Sequence, residues 1–155
     1  MPLSDILNPE GVVANLKARG KKQALQELSA VAGKLCKINS QKILEKILER
    51  EKLGTTGVGQ GVAIPHAKFA EVTKVTGIFA RLDQPIDFDS VDERPVDLIF
   101  LLIAPEEGSA EHLRTLARVS RLLRNQELCI KLRGSKDPAA LYSLLTEPAA
   151  SSSAA

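Results

Sequence analysis

Pro95-Val96-Asp97-Leu98-Ile99-Phe100-Leu101-Leu102-Ile103-Ala104 is the stretch that decides the fold. An extended chain turns successive side chains to opposite faces. Apolar residues stand on both faces here, so the stretch reads as a strand in the centre of a sheet covered on both sides. Its apolar run, Leu98 to Ala104, is far too short to cross a bilayer. Working outward, residues 75–82 read as another strand. Residues 62–64 read as a short extended segment, because Pro65 biases Ile64 away from helix. Residues 21–37 carry Ala24, Leu25, Leu28, Val31, Ala32 and Leu35 as one apolar stripe at helical spacing. Ser40 is expected to cap a second helix running to Leu53, with Gly54 as its stop and Ile43, Leu44, Ile47 and Leu48 as its stripe. Ser109 is expected to cap a long helix to Arg124, and Asp137-Pro138 to open a last short one. No element is assigned before residue 21 or between residues 124 and 137. The fold class is α/β, a single domain over residues 1–146 with helices on both faces of one sheet. Residues 147–155 are rich in Pro, Ala and Ser and are expected to be a disordered tail.

Composition narrows the function classes. The chain has 155 residues, 44% hydrophobic and 26% charged, the balance of an ordinary soluble globule. The formal net charge of +2 does not call for a polyanionic partner. With one Tyr, four Phe and no Trp there are few surfaces for base stacking, which argues against a nucleic-acid binder. The N-terminus carries Asp5 and no basic segment before an apolar run, so it does not read as a secretory signal. A cytoplasmic location is expected. There Cys36 and Cys129, far apart in sequence, would be free thiols, with Cys36 on the apolar face of a helix.

The chemistry concentrates in Gly54-Thr55-Thr56-Gly57-Val58-Gly59-Gln60-Gly61-Val62-Ala63-Ile64-Pro65-His66. Four of the ten glycines fall within these first eight residues. Glycines allow a tight fold that turns successive N–H groups toward one point, a concavity suited to phosphate. It is not a Walker A loop, because no Gly-Lys-Ser/Thr follows. It is a poor dinucleotide fingerprint, because Gly57, Gly59 and Gly61 lead into an extended Pro-His and not a helix. Histidine is a nucleophile and proton carrier near neutral pH. Amides that bind phosphate beside a positioned imidazole suit reversible N-phosphorylation, with His66 expected on an exposed loop. The residues alone leave open a structural glycine turn with a surface histidine.

Arg50-Glu51-Lys52-Leu53-Gly54-Thr55-Thr56-Gly57-Val58-Gly59 and Ala63-Ile64-Pro65-His66-Ala67-Lys68 resemble the signature of the mannitol/fructose/nitrogen-type enzyme IIA domains of the bacterial phosphotransferase system. Pro85-Ile86-Asp87-Phe88, Pro95 to Phe100, and Glu111-His112-Leu113-Arg114-Thr115-Leu116 extend the similarity, which runs from about Leu3 to Leu145. The resemblance implies a mixed sheet sandwiched between helices (α/β/α) and a stand-alone domain. It implies His66 as phosphohistidine, Arg50 as the active-site arginine, His112 as a second site histidine and Thr56 as a hydroxyl near the phosphoryl oxygens. Gly57, Gly59 and Gly61 complete the expected phosphate-binding set. Arg50-Glu51-Lys52-Leu53-Gly54 is nearest the nitrogen-regulatory branch. That branch implies a histidine-phosphorylated carrier protein as donor and regulatory targets such as kinases and potassium transporters. The alternative is a sugar-specific enzyme IIA that passes phosphate to a IIB domain.

His112 lies in the first turn of its helix, where free N–H groups favour an anion. Arg114, Arg118 and Arg121 form a stripe that a helical wheel places nearly opposite His112, with Leu113, Leu116, Ala117 and Leu123 on the packed side. That stripe reads as a solvated face, with an acidic partner surface second. No cofactor is expected. No metal is needed if loop amides, Arg50 and His112 neutralise the phosphoryl oxygens, and no Asp/Glu/His cluster suggests a metal site. A hydrolase using His66 as base lacks a nucleophile, since Ser109 and Ser120 read as a cap and a packed helix residue.

Overall fold

The computed structural model describes residues 2–107 and 109–147, with the side chain of residue 109 outside the description. The expected tail beyond residue 147 therefore lies outside the described residues. A short 3-10 turn, Leu3–Asp5, leads into β1 (Leu7–Leu16), α1 (Lys21–Cys36) and α2 (Ser40–Lys52). Three short strands follow: β2 (Gly57–Gly59), β3 (Val62–Ala63) and β4 (His66–Phe69). Then come β5 (Thr76–Ile86), β6 (Val96–Pro105), α3 (Ser109–Arg124), α4 (Gln126–Arg133) and α5 (Pro138–Thr146).

The strands form one mixed sheet in the order β1-β5-β6-β3-β2, with β4 also pairing β6. β1 runs parallel to β5, and β3 and β4 run parallel to β6. The β5/β6 and β2/β3 pairs are antiparallel. β6 is central, as its two apolar faces require. Ile99, Leu101 and Ile103 pack with α1 and α2 residues such as Leu25, Leu28 and Ile47. Leu98, Phe100, Leu102 and Ala104 pack on the other face with Val119, Cys129, Leu132 and Leu141 from α3, α4 and α5. Burying each of these large side chains contributes about 1.5–3 kcal/mol relative to exposure.

β1, β2, β4 and α4 escaped the periodicity. β1 contains Asn8, Pro9 and Gly11, residues that argue against a strand. It tolerates them because it is an edge strand whose pairing shifts register between Leu7 and Val12. α4 follows α3 after Asn125 alone, whose side chain accepts a hydrogen bond from the Leu128 amide at 3.1 Å. Other boundaries move by small steps. The cap of α2 is Asn39, not Ser40; its Oδ1 accepts from the Gln41 and Lys42 amides. Asp137 caps α5 as expected. Cys36 is half-buried beside the α1/α2 core, and Cys129 is buried with its thiol donating to the Leu123 carbonyl.

α3 corrects the helical wheel. Its buried side chains include His112, Thr115, Val119 and Leu123, whereas Leu113 and Ala117 are exposed. Spacings of three and four make that set one face. Apolarity alone misplaced it because the buried positions of the first two turns hold His and Thr.

Candidate functional site

The site is built at the place where the sheet edge changes strand. β3 pairs with Leu98 and Ile99 of β6, and β4 resumes the same edge with His66 opposite Leu102. Ile64 and Pro65 lie between. Proline has no N–H to give, but its carbonyl accepts from the Leu102 amide at 2.9 Å, so the ladder on β6 is not lost. His66 is thus the first residue of a strand and half-buried, not a residue of an exposed loop. Strand alternation sends Ala67 and Phe69 into the core under α1 and α2. His66 and Lys68 point the other way, toward α3.

His66 meets His112 there, with ring centroids 5.5 Å apart and planes tilted by 54°. His112 is 3% exposed, and its Nδ1 is buried without a hydrogen-bond partner among the described residues. A buried polar atom left unpaired is costly unless something else satisfies it. On the far side of the same cleft stands Arg50, in the last turn of α2, whose Nη1 donates to the Gly54 carbonyl at 3.1 Å. Arg50, His66 and His112 line one open cavity of about 550 Å³, together with Lys46 and Lys68. Leu53 and Leu113 form an apolar rim, 85% and 63% exposed. The sequence assigns no site role to Lys46, Lys68 or Leu53, and it places Leu113 on the packed side of α3, where the structure has it exposed. Lys68 was within reach of the strand period, two residues after His66.

The Nδ1 of His66 lies 2.9 Å from the Ile64 carbonyl oxygen. A carbonyl only accepts, so Nδ1 carries the proton and Nε2 keeps its lone pair. Burial holds His66 below the ordinary histidine range; the Ile64 bond opposes this, and the Arg50 charge adds to it. His112 is lowered too, by burial first and then by the charges of His66 and Lys68. Both rings are therefore neutral at pH 7.

The glycine block forms the structural turn that the residues alone left open. β2 and β3 form a tight hairpin in which Gln60 and Gly61 both have positive φ, 56° and 82°. That pair of conformations is what a two-residue turn of the I′ kind demands, and glycine meets it without strain. Two of the loop amides are engaged by side chains. The Gly57 amide donates to Thr55 Oγ1 at 3.0 Å, and the Gln60 amide donates to Asp92 Oδ2 at 2.8 Å. Gly59 packs against Asp92, and Gly61 against Arg133 and Asp97. The Thr56 hydroxyl donates to the Glu51 carboxylate, which also receives the Thr56 amide at 3.2 Å and Lys21 at 2.8 Å. The structure thus brings Arg50, His66 and His112 together along one cleft, whose lining does not include Thr56, Gly57, Gly59 or Gly61. Those four hold the hairpin from which Pro65 and His66 emerge.

The chain is similar to known proteins over nearly its whole length. Residues 5–147 match the family described as "Phosphoenolpyruvate-dependent sugar phosphotransferase system, EIIA 2". A protein from Bradyrhizobium diazoefficiens named "Nitrogen regulatory protein" is 55% identical over 150 residues, covering 97% of this chain and 98% of that one. One of the same name from Escherichia coli is 39% identical over 148 residues, covering 95% and 91%. The crystal structure of nitrogen regulatory protein IIA-Ntr from Neisseria meningitidis superposes with a TM-score of 0.88 at 33% identity, covering 93% of this chain and 99% of that one. With a family match over nearly its whole length and a cleft that gathers two neutral histidines and an arginine, the chain belongs to the enzyme IIA family of the phosphoenolpyruvate-dependent phosphotransferase system.

Proposed function

We propose that the chain is a regulatory phosphocarrier in which Nε2 of His66 accepts a phosphoryl group from a histidine-phosphorylated carrier protein. The observation that carries this reading is the bond between His66 Nδ1 and the Ile64 carbonyl, 2.9 Å long. It orients the ring and leaves Nε2 as the nucleophile on the side of His112 and Arg50. As phosphorus moves, its bond to the donor imidazole breaks while the bond to Nε2 forms. Donor and acceptor are both phosphoimidazoles, so the step is nearly isoenergetic. Arg50 can present a planar fork to two phosphoryl oxygens, while His112 and the first turn of α3 add donors and a favourable dipole. Lys46 and Lys68 raise the positive potential at the mouth. Leu53 and Leu113 offer apolar contacts to the docking protein.

The regulatory part of the reading rests on the relatives named nitrogen regulatory protein, which match this chain over nearly their full length. Phosphorylation would add on the order of two negative charges to a cleft bordered by apolar side chains. A partner seated there must desolvate that charge or supply cations for it, so the two forms present different surfaces. Kinases and potassium transporters are the proposed class of target, and the cytoplasm is the proposed location. Among the described residues no helix is long and apolar enough to cross a membrane.

The test is phosphorylation from labelled phosphoenolpyruvate through the general carrier proteins. The wild type becomes labelled, with a product labile to acid and stable to base, as a phosphoramidate is. His66→Ala stays unlabelled; a fully labelled variant overturns the assignment. Efficient passage of the label to a sugar-specific IIB domain moves the protein to the transport branch.

A further inference from the structure

The arginine stripe of α3 does not simply face solvent. Arg114, Arg118 and Arg121 form one wall of a groove of about 510 Å³. The opposite wall is the N-terminal segment, with Pro2 exposed and Leu3 and Ile6 buried beneath it. Thr115, 5% exposed, also borders the groove. The volume lies within the range of small-molecule sites, which combine an apolar surface with a few placed polar groups. The groove is separate from the His66 cleft, with no lining residue in common.

Three guanidiniums on one helix face at spacings of four and three repel one another. Glu111 is the one acidic residue on the groove. Among the described residues, Arg114 and Arg121 have no ion-pair or hydrogen-bond partner. They stand seven residues apart, about 10 Å along the helix axis. Guanidinium groups bind phosphate oxygens bidentately, and two or three in a row suit a ligand carrying more than one phosphate. An inorganic polyanion would leave the side formed by Pro2, Leu3 and Ile6 unused.

The geometry points to a binding site for a small organic oligophosphate in this groove, its phosphates on Arg114 and Arg121 and its apolar or planar part against Pro2, Leu3 and Ile6. The site does not depend on the chemistry of His66.

ADP without divalent metal is the probe, with pyrophosphate as the matching ligand that lacks an organic part. Binding is followed by titration calorimetry and by amide chemical shifts. ADP is expected to bind, to move the amides of residues 3–6 and 111–121, and to bind at least tenfold more tightly than pyrophosphate. The double variant Arg114→Gln/Arg121→Gln is expected to weaken ADP at least tenfold while accepting phosphate on His66 as the wild type does. His66→Ala is expected to bind ADP normally, which separates this site from the phosphocarrier cleft. Thermal unfolding of each variant checks that the fold is intact. No ADP binding at millimolar concentration, unchanged affinity in the double variant, equal affinity for pyrophosphate, or loss of binding in His66→Ala would each overturn the proposal. Capture of an acidic polypeptide by this face with no affinity for ADP would overturn it as well.

Discussion

His66 illustrates how much one backbone contact decides. Its bond to the Ile64 carbonyl selects the tautomer, and its burial keeps the ring neutral. His66→Ala removes the acceptor and one hydrogen bond, so labelling is lost while unfolding shifts by only about 1 kcal/mol. Arg50→Ala and His112→Ala keep the acceptor but remove a preorganised donor, and each should slow transfer about a hundredfold. Rapid-quench measurement of labelled His66 checks this; wild-type rates in both variants would mean that the cleft is not the site. The pH dependence has a definite sign. Both histidines titrate below their unfolded values, so the unfolded chain binds more protons as pH falls. Their contribution to stability is complete above pH of about 6.5, the ordinary histidine value, and is lost as pH falls through their lowered folded values. Denaturant midpoints between pH 8 and 5 should fall at the acid end, and less steeply in His112→Gln. Phosphoryl acceptance should stay level through pH 6.5 and decline only below it.

At the scale of elements, the β2/β3 hairpin sets the start of β4. Gly57 matters here for space and not for backbone freedom. A Cβ on it would stand 2.5 Å from Ser90 Oγ and 3.0 Å from Ser90 Cα. Rotating the hydroxyl relieves the first contact, but the second is backbone. Gly57→Ala should therefore push the hairpin away from residues 90–91, whose Val91 amide donates to the Gly57 carbonyl at 3.1 Å. Overpacking of this kind costs about 1–3 kcal/mol. Chemical denaturation checks the loss, and an unchanged midpoint would show that the loop gives way freely. Glu51 belongs to the same scale. Its carboxylate joins α1, α2 and the hairpin through Lys21 and Thr56. Periodicity does not reveal this role, because Lys21 lies far from Glu51 in the sequence.

At the scale of the molecule, the cleft exists because the sheet edge carrying β4 runs between the end of α2 and the start of α3. α2 covers one face and α3 the other, so Arg50 and His112 approach His66 from opposite sides. On the proposed function, a docking protein would span all three elements, with the charge added at His66 at the centre of its footprint. At least one partner should distinguish the two forms, with tighter binding of the unphosphorylated one. Pull-downs with wild type, His66→Ala and phosphorylated protein check this; equal affinities for all partners would count against a regulatory switch.

The sequence by itself determined the layered α/β fold, the central place of β6, the helices α1, α2, α3 and α5, and the Pro65-His66 pair on which the proposed chemistry rests. Each of these is written locally, as an apolar period, a cap or a proline beside a histidine. The tertiary structure alone decided the rest. β1 is a strand only because β5 pairs with it despite Pro9 and Gly11. The buried face of α3 runs through His112 and Thr115 because that side meets the sheet, whatever its polarity. The glycines became a hairpin turn because β2 pairs with β3, Thr55 takes the Gly57 amide and Asp92 takes the Gln60 amide. Local patterns record what a segment prefers alone, whereas the owner of each hydrogen bond and buried face is settled by residues far away in the chain.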